Sequence, residues 1–214
     1  MRVVIPYTDR DPKSRLSPVL SGAERREFAR AMLGDVVEAV RNAGHDPELL
    51  VPEPIDSPGS GARLDSVPTT VDDRALTPAV DAVLGRLSEG VAEMAIVMAD
   101  LPLATATALR RLCAVGGDVA VAPGRGGGTN ALVVRAPSFS VDYHGASYRD
   151  HRDAAAVAGL SVGVVDSMRL ATDVDEPADF AEVLLHGDGR GRRWLVDAGF
   201  ELDATDGRVG IRRE

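Results

Sequence analysis

The stretch Glu93-Met-Ala-Ile-Val-Met-Ala-Asp100 is a near-continuous apolar run that ends in an acidic residue. Such a run is typical of a strand buried on both faces in the middle of a parallel sheet. Shorter apolar runs predict further strands at residues 3–6, 49–51, 118–123 and 131–135, and brief strands near Val67, Val162 and Leu170. The chain therefore has enough strands for one large sheet.

Segments with helical spacing alternate with these strands. Ser21-Gly-Ala-Glu24 is a capping box, and apolar residues then recur at helical spacing from Phe28 to Val40. The remaining predicted elements are helices at residues 72–87, 104–115, 147–159 and 178–185, a short helix around Trp194 and a closing hairpin through Asp206-Gly207. A loop rich in Pro, Gly and Ser is predicted at residues 52–68. The alternation predicts an α/β sandwich with a mostly parallel sheet, as one domain over residues 1–214.

The composition excludes several classes of protein. The chain has 214 residues and a formal net charge of −9, which disfavours nucleic acid and anionic membrane surfaces as partners. No run approaches the roughly 18 apolar residues of a membrane span, and the N-terminus has no room for a signal sequence, so we expect a cytoplasmic protein. The single cysteine, Cys113, excludes an internal disulfide. The four histidines have no metal-ligand spacing and are expected to be structural or surface residues.

The choice of charged residues is strongly biased. Lys13 is the only lysine among the 24 basic residues, and Asp is twice as frequent as Glu. A negative, well-hydrated surface is an adaptation to a salty cytoplasm, which predicts a halophilic protein. Codon bias in a GC-rich genome is the alternative, although it does not explain the net acidity.

A polar loop that carries Arg10, Lys13, Ser14 and Arg15 follows the first predicted strand. Basic and hydroxyl groups just ahead of a helix N-terminus can hold a polyphosphate. The loop contains neither the Walker pattern nor the dinucleotide-binding glycine pattern. The alternative is a solvated loop with scattered charge.

Three aspartates at the ends of predicted strands are candidate metal ligands. Asp100 closes the apolar run, and alternation in a strand would put Asp173 and Asp175 on one face. Mg²⁺ prefers oxygen ligands, so acids that face phosphate-binding loops suit metal-assisted phosphoryl or nucleotidyl transfer. The alternatives are that Asp100 forms a turn or caps a helix, and that Asp175 or Glu176 caps the helix that begins at Pro177.

The segment Gly124-Arg-Gly-Gly-Gly-Thr129-Asn130 is a candidate anion site. Consecutive glycines let backbone N–H groups approach an anion, and Thr129 and Asn130 add side-chain donors. A plain connection between two strands is the alternative. Further along, Ser147 and Asp150 form a second capping-box pattern.

Five motifs occur in a specific order along the chain. They are Lys13-Ser-Arg-Leu-Ser-Pro18, Met98-Ala-Asp-Leu-Pro-Leu103, Gly126-Gly-Gly-Thr-Asn-Ala-Leu132, Tyr143-His-Gly-Ala-Ser-Tyr148 and Asp173-Val-Asp-Glu-Pro177. Together they resemble the 2-phospho-L-lactate guanylyltransferase family. The resemblance covers essentially the whole chain, including the closing Gly207-Arg-Val-Gly-Ile211.

The resemblance implies a three-layer nucleotidyltransferase fold, similar to that of the nucleotide-diphospho-sugar transferases. It implies that GTP and 2-phospho-L-lactate are coupled to lactyl-2-diphospho-5'-guanosine with release of pyrophosphate, a step of coenzyme F-420 biosynthesis. Mg²⁺ is the implied cofactor, and a homodimer is the implied assembly. Phosphoenolpyruvate or 3-phosphoglycerate is the alternative acceptor. A sugar-phosphate nucleotidyltransferase or a glycosyltransferase of similar fold is a second hypothesis, against which the Gly-Gly-Thr-Asn segment counts because it is not their pattern. A non-catalytic nucleotide-binding or assembly protein is a third.

The resemblance also implies a role for each motif residue. Mg²⁺ on the GTP phosphates would be held by Asp100, Asp173 and Asp175. The nucleotide would be bound by Lys13, Ser14, Arg15 and Asp100, and of these Lys13, Arg15 and Asp100 would act in catalysis. The phosphorylated acid would be seated by Thr129, Asn130, Gly145 and Ser147. One departure weakens the expected preference for GTP, since relatives often carry Leu-Asn where this chain has Leu76-Thr77.

Overall fold

A seven-stranded sheet forms the centre of the protein. The structure, a computed structural model, describes residues 1–55, 64, 66–205, 207 and 209–214. The strands are β1 (Arg2–Pro6), β2 (Asp46–Val51), β3 (Thr69–Val71), β4 (Met94–Val97), β5 (Val119–Pro123), β6 (Thr129–Val134) and β7 (Val162–Val164). They lie in the order β3-β2-β1-β4-β6-β5-β7, and each neighbouring pair is parallel except the two that contain β6. The predicted mostly parallel mixed sheet is confirmed.

Helices cover both faces of this sheet. They are α1 (Gly22–Asn42), α2 (Leu76–Leu84), α3 (Ala106–Ala114), α4 (Ser147–Val157), α5 (Met168–Ala171), α6 (Phe180–His186) and α7 (Arg190–Asp197). Short 3-10 helices lie at Ser14–Leu16, Gly85–Glu89 and Pro177–Asp179, and the chain ends in a hairpin of β8 (Phe200–Asp203) and β9 (Gly210–Arg213). No helix in the described part of the chain is long and apolar enough to cross a membrane.

Strand β4 explains why the chain forms three layers. Ala95 and Val97 pack in one apolar cluster with side chains of α1 and α3, and Met94 and Ile96 pack in a second with α2 and α4. All four side chains are at most 1% exposed. Because alternate residues of a strand point to opposite faces, an apolar run without alternation requires a cover on both sides. The predicted sandwich is therefore confirmed.

A third apolar cluster joins the C-terminal helices to α1. Phe28 of α1 packs edge-on against Phe180, with 5.2 Å between ring centroids, and also contacts Trp194. Asp35, which is buried in α1, accepts hydrogen bonds from the N–H groups of Arg190 and Gly191 at the start of α7, at 2.6 and 2.8 Å. These contacts fix the C-terminal segment on the outside of α1.

Several predicted elements are confirmed and others need correction. The capping box at Ser21 and Glu24 is present at the start of α1. The strand predicted near Leu170 is wrong, since Leu170 lies in α5 and its N–H bonds to the Ser167 side chain that caps this helix. The helix predicted at 72–87 begins only at Leu76 and ends as a 3-10 turn. Parts of the predicted loop at 52–68 (residues 56–63 and 65), and the predicted turn residue Asp206, lie outside the described residues.

The order of the strands determines where a ligand can bind. From β1 the chain moves through β2 to β3 on one side, and β4 then returns to the other side of β1. The loops that follow β1 and β4 therefore separate at the carboxyl edge of the sheet. In open α/β sheets this divergence produces a crevice that binds ligands.

The contact between α1 and α7 leads to a test by substitution. We expect Asp35→Ala to lower the free energy of unfolding by about 2 kcal/mol, because two buried N–H groups at a helix start lose a charged acceptor. Glu38→Ala is the matched control, since Glu38 pairs with Arg190 on the exposed side of the same helices and exposed pairs contribute about 0.5 kcal/mol. Urea denaturation of both variants measures the difference, and equal losses would contradict the capping role.

Candidate active site

A cavity of about 620 Å³ opens at the carboxyl edge of the sheet, over the crevice between β1 and β4. Its walls come from the loop after β1, the ends of β2 and β4, the segment after β3 and the start of α2. Lys13, Ser14, Arg15, Asp100 and Asp175 all line it. The structure thus brings together the basic loop and two of the three candidate acids.

Lys13 is the centre of this arrangement. Its ammonium donates to Asp100 Oδ2 at 2.6 Å and to Asp175 Oδ1 at 2.8 Å, while its side chain is only 13% exposed. Burial alone would lower the pKa of Lys13, but Asp100 and Asp175 outweigh this and raise the pKa above its ordinary value. The backbone of Lys13 is left-handed, with φ of +54°, a conformation that non-glycine residues adopt at a cost and that is common at functional sites.

One carboxylate oxygen among the acids around Lys13 has no hydrogen-bond partner. Asp100 Oδ1 is buried and has no hydrogen-bond partner. Burial raises the pKa of Asp173, and the nearby charges of Asp100 and Asp175 raise it further, while the Asn130 amide donates to its Oδ1 at 3.1 Å. An unsatisfied carboxylate oxygen beside two more carboxylates is a donor set that fits Mg²⁺. Within the described residues, no group of three acidic, His or Cys side chains is arranged to hold a metal ion, so the structure does not gather Asp100, Asp173 and Asp175 around one position.

The segment 173–175 is not a strand, which corrects the sequence prediction. Val174 is fully buried, and its N–H donates to the carbonyl of Asp100 at 3.1 Å. Asp173 and Asp175, on either side of the buried valine, are partly exposed. Neither Asp100 nor Asp175 caps a helix; the cap before Pro177 is Glu176, and the cap of α3 is Thr105.

Thr129 and Ser147 bind each other rather than facing the cavity. The Thr129 N–H donates to Ser147 Oγ at 2.9 Å, and Thr129 Oγ1 lies 2.9 Å from His151 Nδ1. All three side chains are buried. The predicted capping box at Ser147 and Asp150 is therefore wrong, because the cap of α4 is Ala146. The Ser147 hydroxyl instead accepts the N–H of Thr129 in β6.

The glycine-rich segment is a tight connection between antiparallel β5 and β6. The N–H of Gly124 donates to the carbonyl of Gly128, and the N–H of Gly127 to that of Gly124. A Cβ on Gly124 would lie 2.6 Å from Asn130 Oδ1, so this glycine also lets Asn130 approach. Gly145 is exposed, with φ of +52°, and the described lining of the cavity does not include Thr129, Asn130, Gly145 or Ser147.

Thr77, which stands where the resemblance leads one to expect asparagine, has a structural role. Thr77 Oγ1 accepts the N–H of Tyr143 at 3.0 Å, which ties the start of α2 to the loop before α4. Sequence reasoning missed two cavity residues, Asp72 and Arg74, which follow β3. Their position directly after a parallel strand could have indicated that they line a site. The helical pattern of the sequence instead predicted that they lie inside a helix.

Known proteins are similar to this chain over its whole length. The model of the family described as "Guanylyl transferase CofC like" matches residues 1–213. The chain is 53% identical to the 2-phospho-L-lactate guanylyltransferase of Haloarcula marismortui, over 100% of this chain and 99% of the relative. It is 55% identical to the protein of the same name from Halomicrobium mukohataei, over the full length of both chains.

Solved structures share the fold at low sequence identity. A crystal structure assigned to the nucleotide-diphospho-sugar transferases, from Desulfovibrio desulfuricans, matches with a TM-score of 0.71 at 15% identity, over 92% of this chain and 94% of that one. A nucleotidyl transferase from Methanothermobacter matches with a TM-score of 0.54 at 15% identity, over 87% and 97%. The expected nucleotidyltransferase fold is thereby confirmed.

The charge balance around Lys13 predicts how the site responds to cations. We expect Lys13→Met to lower the free energy of unfolding by about 2 kcal/mol, because it leaves partly buried carboxylates without a counter-charge. Mg²⁺ should raise the melting temperature of this variant more than that of the wild type. Arg15→Met is the control, because Arg15 is 69% exposed and its contact with Asp175, at 3.4 Å, is longer than those of Lys13. A Lys13→Met variant that is indifferent to Mg²⁺ would argue against a cation site.

His151 predicts a loss of stability in acid. Burial lowers the pKa of His151 from 6.5 to about 4, so folding favours the neutral ring. Its contribution is complete above pH 6.5 and is lost as the pH falls towards 4, by up to about 3 kcal/mol. The free-energy difference between wild type and His151→Gln should therefore shrink over this range. Parallel stability curves for the wild type and His151→Gln across this pH range would refute the assignment.

Proposed function

The chain belongs to the guanylyl transferase CofC-like family, and from this we propose that it transfers the guanylyl group of GTP to 2-phospho-L-lactate. A phosphate oxygen of the acid attacks the α-phosphorus, a new P–O–P bond forms, and pyrophosphate leaves with the electron pair of the broken bond. The product is lactyl-2-diphospho-5'-guanosine, an intermediate of coenzyme F-420 biosynthesis. The observation that carries the proposal is the pairing of Lys13 with Asp100 and Asp175 inside the cavity.

The basic loop supports a polyphosphate at this end of the cavity. Lys13, Ser14 and Arg15 line the same wall, and Arg15 is largely exposed there. Their ammonium, hydroxyl and guanidinium groups suit the binding of phosphate oxygens and of the departing pyrophosphate. The attacking phosphate oxygen is already ionised, so the reaction needs positioning and charge neutralisation rather than a strong general base.

Asp100, Asp173 and Asp175 are the residues that would hold Mg²⁺. The unpartnered Oδ1 of Asp100 and the effect of the Asp100 and Asp175 charges on Asp173 support this assignment. When bound, Mg²⁺ neutralises phosphate charge and takes most of its ligands from phosphate oxygens and water. Lys13 would then move its hydrogen bonds from the two acids to the phosphates, which keeps the local charge balanced.

The acceptor is proposed to bind beside Asp173, at the edge formed by β6 and the start of α4. Asn130 lies next to Thr129 and reaches Asp173, while Thr129 is fixed to Ser147. This pairing orients the N-terminus of α4, where the positive end of the helix dipole favours a phosphorylated acid. Gly145 lies in the loop just before this helix. The hydroxyls of Thr129 and Ser147 therefore contribute to the proposed acceptor site by ordering its backbone.

Assembly, location and salt adaptation complete the proposal. We infer a cytoplasmic homodimer adapted to high salt. The family resemblance supports the dimer, and the net charge of −9 with one lysine supports the salt adaptation. The similarity to proteins of halophilic archaea such as Haloarcula marismortui supports the same conclusion.

The proposed reaction is tested by pyrophosphate release from GTP with 2-phospho-L-lactate, Mg²⁺ and high KCl. We expect Asp100→Asn to lower the rate at least about 100-fold, because Mg²⁺ would lose a carboxylate ligand and would neutralise the phosphate charge less well. Chelation of Mg²⁺ should stop the reaction. Asp46→Asn makes the same change at the opposite edge of the sheet and should keep wild-type activity. Phosphoenolpyruvate and 3-phosphoglycerate serve as parallel acceptors. Release without dependence on Asp100 would refute the assigned site, and silence of the folded wild type would refute the reaction.

A further inference from the structure

The cavity has a second end that the phosphate-binding residues do not occupy. This end lies past the carboxyl ends of β2 and β3 and includes Asp72 and Arg74. Strand β3 is three positions from β4 in the sheet, which separates Asp72 from Asp100 by about 14 Å at the usual strand spacing. This separation suits a nucleotide whose phosphates lie at Lys13 and whose base lies at Asp72.

The second end combines apolar walls with one fixed carboxylate. Val51, Leu76 and Ala79 line it together with the two charged residues. Asp72 is 14% exposed, and its Oδ1 accepts from the backbone N–H of Arg74 at 3.1 Å and from Nε at 2.8 Å. Its Oδ2 accepts from Nη2 of Arg74. Since each carboxylate oxygen can accept two bonds, Oδ2 retains an open acceptor position.

Arg74 orients this carboxylate and is itself free to move. Its side chain is 51% exposed, so the guanidinium can shift into solvent or towards a ligand without burying an unpaired charge. The backbone N–H of Arg74 continues to hold Oδ1 when it does so. A purine between the apolar walls therefore meets a carboxylate whose remaining acceptor positions become available as Arg74 moves.

We infer that Asp72 recognises the guanine base of the nucleotide, an inference that rests on the proposed guanylyl transfer. Guanine presents two adjacent donors, the ring N–H and the 2-amino group, and a carboxylate accepts both. Adenine and cytosine each place an unprotonated ring nitrogen at this edge, which a carboxylate repels. Arg74 can donate to the guanine carbonyl beside these donors, as arginine does in other contacts with guanine. The Asp72–Arg74 pair thus determines base specificity.

The first test uses the wild-type protein and direct binding by calorimetry, with no acceptor present. Inosine triphosphate lacks the 2-amino group, and xanthosine triphosphate replaces it with a carbonyl that repels the carboxylate. We expect GTP to bind about 10- to 100-fold more tightly than either analogue, the range for a lost hydrogen bond to a charged group. Equal binding of GTP and inosine triphosphate would overturn the inference, whatever the acceptor of the reaction is.

The second test exchanges the specificity. In Asp72→Asn the amide oxygen still accepts the ring N–H, and the amide N–H now donates to the second carbonyl of xanthine. We expect this variant to prefer xanthosine triphosphate over GTP, both in binding and in pyrophosphate release. Asp73→Asn makes the same change at the neighbouring position, which does not line the described cavity, and should retain the preference for GTP.

The outcomes separate this inference from the proposed function. If the wild type releases pyrophosphate from GTP and Asp72→Asn keeps the wild-type preference, the base assignment is wrong and the proposed function stands. If no acceptor supports release but the preference for xanthosine triphosphate appears in binding, the base assignment stands and the proposed reaction fails. A gain of binding to xanthosine triphosphate also requires a folded variant, so misfolding cannot imitate it.

Discussion

The ammonium of Lys13 between Asp100 and Asp175 is the contact on which the rest of the site depends. It joins three parts of the chain that are distant in sequence: the loop after β1, the turn after β4 and the segment before Pro177. A partly buried carboxylate pair without a counter-charge would repel. The lysine therefore holds the crevice together and balances the charge of both acids.

This contact could be predicted only in part from the sequence. The apolar run that ends at Asp100 fixes a central strand, because burial on both faces leaves no polar alternation, and its last acid must lie at the carboxyl edge. Helical spacing and the capping box likewise identify α1. The left-handed backbone at Lys13, which aims its side chain into the crevice, depends on packing of the whole loop and has no local sequence signal.

The errors also have physical causes. Ser147 fits a local capping pattern, but a hydrogen bond from the N–H of Thr129, donated across the fold, takes its hydroxyl instead. Leu170 is fully buried in a one-turn helix, and a short apolar segment of this kind cannot be distinguished from a strand by its pattern. Asp72 is missed because the helical pattern extends N-terminally beyond Leu76, over residues that directly follow β3.

The use of lysine rather than arginine at position 13 has a structural reason. The chain uses arginine at its other basic positions, and arginines form many surface pairs, as between Arg10 and Glu53 or Arg212 and Glu201. A planar guanidinium suits such two-pronged contacts, whereas the compact ammonium can donate to two carboxylates from different directions at 2.6 and 2.8 Å. It can also turn its three donors towards a phosphate without rebuilding the loop. The net charge of −9 is compatible with the proposed binding of a polyanion, since Lys13 and Arg15 provide a local positive charge at the cavity.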